Sequence, residues 1–338
     1  MGKHLIAARE CIGRAAETSW WKWDKGSRPF FWRWPEEFMM DVRDGIKPWI
    51  SKSLPQYKAK KHKGSQNEDK VIEKVNKVRE AQYISEGLVY STIDVFDVPK
   101  GDEDIRLVYN GTSCGLNDCL WAPWFPLPTI DTHSRGICAG TYMNDLDVGD
   151  QFHNFILHQD LQPYVGVNFA TFPKTVKTCI YDEVPVWDLN WDEKRVGKVG
   201  ERWTRLCMGL KLSPYNAVQT QHRFDEVLFL NEWCSNTNSS TSYKDGIFSF
   251  SQVVLNLPGN TNYDPSMPWI YKATADGRIA CDMFTYVDDQ RVTGPNEELC
   301  WKASQRVVTQ LSYSGIQSAA RKRREVSTDV GAWAGSVI

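Results

Sequence analysis

No apolar run in this 338-residue chain reaches the ~20 residues that a membrane-spanning helix needs. Lys3, Arg9 and Glu10 interrupt the amino terminus, so the apolar core of a signal peptide is missing as well. The chain is therefore expected to be intracellular, without a membrane partner. The 9 cysteines contain no Cys-x-x-Cys pair and the 6 histidines do not cluster, which argues against both a zinc site and a disulfide framework. An odd count among apolar neighbours fits reduced thiols. Without a secretory route, the formal glycosylation sequons at Asn110 and Asn238 carry no meaning. An excess of positive charge is also lacking. Lys and Arg total 40 against 42 Asp and Glu, a formal net charge of −2, less basic than expected of a protein that neutralises many phosphates. There is no internal repeat.

What is present is a 41% hydrophobic composition, enough to bury a substantial core in two or three subdomains. Positive charge is local. Lys58, Lys60, Lys61 and Lys63 read as a solvated cluster, whereas Arg321, Lys322, Arg323 and Arg324 read as a contact for nucleic acid or triphosphate. Residues 1–70 are a tryptophan-rich extension followed, from about residue 58, by a basic linker. Trp20, Trp21, Trp23, Trp32 and Trp34 form either a partner-binding or strand-stacking surface, or rings that pack the extension onto the body of the protein.

The most informative string is Tyr286-Val287-Asp288-Asp289. The run from Cys281 to Val287 is rich in aromatic and β-branched residues, extended character resumes at Gln290-Arg291-Val292-Thr293, and Gly294-Pro295 ends it. Asp288-Asp289 is thus expected at the turn of a β-hairpin, where Asp tolerates unusual dihedrals. Two adjacent carboxylates there point to a divalent-metal site, although an ordinary polar turn would use the same residues. Upstream, Leu146-Asp147-Val148-Gly149-Asp150-Gln151-Phe152 places an acidic residue at the end of an apolar stretch, before a glycine turn and an aromatic. Between the two lies Leu206-Cys207-Met208-Gly209-Leu210-Lys211-Leu212-Ser213-Pro214, a glycine turn running into a helix start with Ser213 as N-cap and Pro214 at the first position. Ala217, Gln221, Phe224 and Leu228 then recur at helical spacing. After the hairpin, Asn296 is expected to cap a helix that begins with Glu297 and Glu298. Its apolar stripe would be Leu299, Ala303, Val307 and Leu311, and Gly315 would end it.

In this order, the three segments resemble motifs A, B and C of the reverse transcriptase palm. Val98-Pro99-Lys100-Gly101 through Ile105-Arg106-Leu107-Val108-Tyr109-Asn110 resembles the fingers hairpin of retroviral and gypsy-like LTR-retrotransposon enzymes. Phe125-Pro126-Leu127-Pro128-Thr129-Ile130-Asp131 matches the segment those elements carry next. Gly315-Ile316 with Arg321-Lys322 resembles motif D, and Trp333-Ala334-Gly335 resembles the primer grip. The resemblance implies an α+β fold: a right-hand palm, with an antiparallel sheet backed by helices in a ferredoxin- or RRM-like manner, plus a fingers subdomain. Fingers would occupy 71–140 and 161–203, and palm 141–160 and 204–338, with a polar surface insertion at 232–278. By the same resemblance, thumb and RNase H regions are expected to be absent from the 338 residues and to belong to a longer parent polyprotein, and without a thumb processivity would be weak.

The activity implied is RNA-directed DNA synthesis on an RNA or DNA template with a primer and dNTP, using two Mg²⁺ or Mn²⁺ ions. By resemblance the catalytic residues are Asp147, Asp288, Asp289 and Lys322, with Asp147, Val148 and Asp288 at the metals and Lys322 as general acid for the leaving pyrophosphate. The dNTP would meet Lys100, Arg106, Asp150, Gln151, Phe152, Met208 and Gly209, and Phe152 would exclude a ribose 2′-hydroxyl. Trp333, Ala334 and Gly335 would hold the primer. Two departures touch dNTP geometry: Asn110 replaces an acidic residue common in the fingers motif, and Met208 stands where retroviral enzymes have Gln and gypsy elements Phe. The alternative is a catalytically weak or inactive remnant that binds nucleic acid. A viral RNA polymerase is disfavoured by Phe152.

Overall fold

A computed structural model of the chain describes residues 35–59, 67–169, 183–187, 194–235, 247–319 and 323–337. Trp20, Trp21, Trp23, Trp32 and Trp34, much of the basic linker, and both Arg321 and Lys322 lie outside the described residues. The described residues form two compact units, one drawn from Met1–Trp124 and Phe152–Thr220, the other from Phe125–Gln151 and Gln221–Ile338.

The first unit begins with helix α1 (Glu36–Asp44), strand β1 (Trp49–Ile50), helix α2 (Glu68–Glu80) and strands β2 (Ile84–Val89), β3 (Asp94–Lys100) and β4 (Asp104–Asn110). The short helix α3 (Leu116–Cys119) then leads into β5 (Leu120–Trp121). The chain gives α4 (Ile130–Ser134) and β6 (Tyr142–Asp147) to the second unit and returns to the first for β7 (Glu183–Trp187) and β8 (Lys194–Trp203). Helix α5 (Leu212–Ser235) counts with the second unit from Gln221 onward. The second unit is completed by β9 (Gln252–Leu255), β10 (Ile270–Ala273), β11 (Asp282–Tyr286), β12 (Asp289–Gly294), α6 (Glu297–Tyr313), β13 (Ala332–Trp333) and β14 (Ser336–Val337). Among the described residues, every pair of these strands is antiparallel.

In the first unit, β3 and β4 pair from Asp94↔Asn110 to Lys100↔Asp104. The two-residue alternation of a strand sends Val95, Ile105, Leu107 and Tyr109 into the core and leaves Lys100 and Arg106 on the exposed face. Helix α2 packs on β4 and buries Val71 and Val75, each contributing about 1.5–3 kcal/mol. Trp203, at the end of β8, is fully buried and meets Tyr109 edge-on at 4.7 Å.

The second unit centres on the three-stranded sheet β11–β12–β6, with α6 packed on β12 and β6. Helix α6 follows its sequence signals. The Asn296 side chain accepts the Leu299 N–H at 2.9 Å, and the helix ends where Gly315 takes φ 81. Cys300, Ala303, Val307 and Leu311 form the buried stripe. Leu299 is only half-buried.

One expectation shifts. Helix α5 starts at Leu212, so Ser213 lies inside the first turn rather than at the cap, and Pro214 is its third residue. Proline is tolerated there because the first four helical N–H groups have no intrahelical acceptor. The 232–278 segment, expected as a polar excursion, contains the β9–β10 hairpin, paired from Gln252↔Ala273 to Leu255↔Ile270. Val253 and Leu255 on that hairpin are exposed. No helix among the described residues is long and apolar enough to cross a membrane. The six cysteines described, Cys114, Cys119, Cys138, Cys207, Cys281 and Cys300, are all free thiols.

Candidate active site

The register of β6 against β12 sets Asp147 directly opposite Asp289, and Asp145 directly opposite Arg291. Residues so paired project from one face of the sheet with Cβ atoms about 4.5–5.5 Å apart. Past Asp147 the backbone is held from both sides. Val148 N–H donates to Asp288 O at 2.9 Å, while Ala319 N–H donates to Asp147 O and Gly149 N–H to Gln317 O, each at 2.8 Å. The carboxylate-bearing segment thus runs between the β11–β12 tip and residues 317–319.

The tip differs from its expected form. Because Tyr286 pairs with Asp289, the turn consists of Val287 and Asp288, and Asp289 already belongs to β12. The unusual dihedral falls on Val287, at φ 54, and not on an aspartate. A β-branched residue there is a steric outlier, of the kind that persists only where its surroundings over-determine it. Here Gln151 Nε2 donates to Val287 O at 2.5 Å, and Val148 holds the next carbonyl.

Each face of the sheet carries a buried charge. On one, the Asp225 carboxylate of α5 accepts from Thr285 Oγ1 (2.8 Å), Gln290 Nε2 (3.2 Å) and Gln221 Nε2 (3.1 Å). Thr285 and Gln290 are cross-strand partners, so one carboxylate ties both strands of the hairpin one rung below Tyr286↔Asp289. Burial pushes its pKa up to about 6, against the opposing pull of the three hydrogen bonds. On the other face, Arg291 donates from Nε and a terminal nitrogen to the two Asp145 oxygens at 2.6 and 3.0 Å. His133 is fully buried there, stacked on Trp333 at 4.2 Å and edge-on to Phe284 at 4.7 Å. Burial first, and the Arg291 charge second, lower its pKa to about 4, so it is neutral in the fold.

Asp147, Val148, Asp150, Gln151, Asp288, Asp289 and Trp333–Gly335 belong to the second unit; Lys100, Arg106, Phe152, Met208 and Gly209 belong to the first; Lys322 is outside the described residues. Lys100 and Arg106 share the exposed face of β3–β4, where Lys100 lies 3.9 Å from Asp104. Asp104 is more closely paired with Lys74, at 2.9 Å. Phe152 is half-buried and Met208 is 38% exposed. Gly209 has a structural reason to be glycine. Its φ is +98, and a Cβ would lie 1.7 Å from the Tyr109 carbonyl oxygen. Asp150 takes φ 48 on the surface. Of the primer-grip match, Ala334 (φ 47) and Gly335 (φ 81) turn between β13 and β14, whereas the Trp333 ring is buried.

Among the described residues no group of three or more His, Cys, Asp or Glu side chains is gathered so as to hold a metal ion. Asp147, Asp288 and Asp289 nevertheless fit Mg²⁺ in donor chemistry. They offer oxygen only, and Mg²⁺ at phosphoryl-transfer sites takes one or two carboxylates and completes its shell with water and substrate phosphates.

No protein-family model matches this chain, and no curated protein matches it. A solved structure does: a foamy viral protease-reverse transcriptase in complex with double-stranded DNA, with a TM-score of 0.54 at 13% sequence identity over 90% of this chain. The fold is of the reverse transcriptase type. It is α+β, with antiparallel sheets and helices in the manner of a palm and fingers, as the motifs imply. This chain spans 44% of the length of that chain.

Sequence reasoning missed Asp225, Asp145, Arg291 and His133. For Asp145 and Arg291 a signal existed: each stands two residues from a candidate catalytic aspartate, hence on the same strand face.

Proposed function

We propose that this chain comprises fingers and palm of a reverse transcriptase from a gypsy-like LTR retrotransposon or related retroelement, and that it catalyses RNA-directed transfer of a nucleotide from dNTP to a primer 3′-hydroxyl. The reading rests on one observation above all. Asp147 and Asp289 oppose each other at one end of β6 and β12, next to Asp288 in a turn whose strained Val287 is held by hydrogen bonds. Such strain at the tip between carboxylates is costly, of order 1–3 kcal/mol, and is found where geometry matters more than stability.

In this reading the primer oxygen attacks the α-phosphate, its proton is lost, the bond to the bridging oxygen breaks, and pyrophosphate leaves. Asp147, Val148 and Asp288 would hold two Mg²⁺ or Mn²⁺ ions, and these would supply neutralisation of charge on the entering and leaving oxygens. Asp289 adds negative charge beside them. Lys322 would give a proton to the pyrophosphate. Lys100 and Arg106 are cations on one exposed face, suited to triphosphate oxygens. Asp150, Gln151, Phe152, Met208 and Gly209 would shape the rest of the dNTP site, and Trp333–Gly335 the seat of the primer. A second reading is a remnant that binds nucleic acid weakly and without turnover, to which the net charge of −2 is suited because it neutralises few phosphates.

Extension of an oligo(dT) primer on poly(rA) with dTTP separates the two. Metal-dependent extension, with dTTP preferred to its ribonucleotide counterpart, is the expected result. Template-primer binding without incorporation in either Mg²⁺ or Mn²⁺ would support the remnant.

A further inference from the structure

Arg291 is fully buried, in the second strand of the β11–β12 hairpin and two residues from Asp289 on the same face. An isolated structural ion pair would end at Asp145. This one does not. A terminal nitrogen of Arg291 also reaches Gly331 O at 3.4 Å, and the guanidinium lies 5.5 Å from the Trp333 ring centroid. Asp145 in turn is approached by Arg324 at 3.8 Å, and Arg324 donates to Asp329 O (2.7 Å) and Val330 O (3.1 Å). Two more contacts tie the same segment to β6: Asn144 Nδ2 donates to Arg324 O at 2.5 Å, and Arg324 N–H donates to Asp145 O at 3.2 Å. One cluster of charges thus touches the strand of Asp147, the strand of Asp289, and the backbone that enters the β13–β14 hairpin.

Buried ion pairs are poor stabilisers, because desolvation offsets most of their attraction and well-packed apolar residues often do as well or better. Leu or Val at both positions would fill these buried places without a charge. What apolar residues cannot do is fix direction. A guanidinium presents its donors in a rigid planar fork and offers its face to an aromatic ring, so it sets the placement of three elements at once.

We propose that Arg291 is a positioning residue that locks the Trp333 hairpin to the strand pair carrying Asp147 and Asp289, with Asp145 as its counter-charge and Arg324 as a second cation on the same carboxylate. This rests on the polymerase reading for its consequence, since the Trp333 hairpin would then set the primer end relative to the carboxylates. The lock itself is testable without activity.

The test is hydrogen exchange on the whole chain for wild type, Arg291→Lys and the double variant Asp145→Val/Arg291→Leu, with thermal midpoints measured in parallel. The double variant removes both members of the buried pair, leaves the part-exposed Arg324 its bonds to Asp329 O and Val330 O, and should fold with a midpoint near that of wild type. The expected result is exchange at least ~10-fold faster for residues 329–337 in both variants, with strands β6, β11 and β12 as protected as before. In primer extension, KM for primer-template should rise by about tenfold while kcat changes by less than about threefold. Wild-type protection of 329–337 in the double variant would overturn the proposal. So would a loss of protection spread evenly over the second unit, or a double variant that does not fold, since either makes the pair a core element only. If wild type extends no primer, the polymerase reading fails and the exchange result still decides the lock.

Discussion

The hairpins β3–β4 and β11–β12, both marked by the sequence as functional, are built on opposite terms. The first turns through Gly101, Asp102 and Glu103; glycine takes the positive φ of 64, and a Cβ at Gly101 would meet nothing within 4 Å. The second turns through two residues, puts φ 54 on a valine, and has hydrogen bonds to both turn carbonyls and a buried carboxylate bonded to both its strands. The first tip is open and relaxed; the second is closed and strained. On the proposed reading, cations that would meet an incoming triphosphate gain from access, whereas carboxylates that would hold ions at a fixed spacing gain from constraint.

Four substitutions break or sharpen that contrast, from the largest expected effect to the smallest. Gly209→Ala drives a Cβ into the Tyr109 carbonyl of β4 and should cost about 3 kcal/mol or more, read as a fall in the denaturation midpoint. Asp225→Asn is next, and its sign depends on pH. The native pKa, about 6, is raised above the ordinary carboxylate value, so the contribution of Asp225 is fully present below about pH 4 and lost as pH rises to 6. An amide cannot ionise. Relative to wild type the variant should gain roughly 2–3 kcal/mol at pH 8 and nothing near pH 4, measured by denaturation across that range. Val287→Gly should relieve strain and raise stability by about 1 kcal/mol while lowering any polymerase rate; a fall in both would show that the valine is not strained. Gly101→Ala, in open space but at positive φ, should cost about 1 kcal/mol or less and leave metal binding unchanged.

How much of this was legible can be argued from particular residues. Helix α6 was, because Asn296, Glu297, Glu298 and Gly315 are local signals and its buried stripe repeats at helical spacing. The hairpin strands were too, but their turn was shifted by one residue, because the sequence pattern gives no sign that Val287 would accept a left-handed conformation. Asp225 stayed hidden for a different reason, and for Asp145 and Arg291 the two-residue spacing marks a strand face but not their burial. A charged residue in a sequence looks solvated by default, and only tertiary register reveals that its partner is also buried. Strands β9 and β10 were masked by the Asn-, Ser- and Pro-rich residues around them. The positions of Lys100 and Arg106 on an exposed strand face suit triphosphate binding and ordinary surface charge alike.

The most direct test of the candidate active site is single-nucleotide incorporation by wild type and Asp288→Asn, with both proteins shown to be folded. Incorporation by wild type in Mg²⁺ or Mn²⁺, reduced about 10³-fold or more in the variant, is the expected result, since loss of a metal ligand removes several kcal/mol of transition-state stabilisation. Equal incorporation by the two proteins would contradict the assignment of Asp147, Asp288 and Asp289 as the catalytic carboxylates.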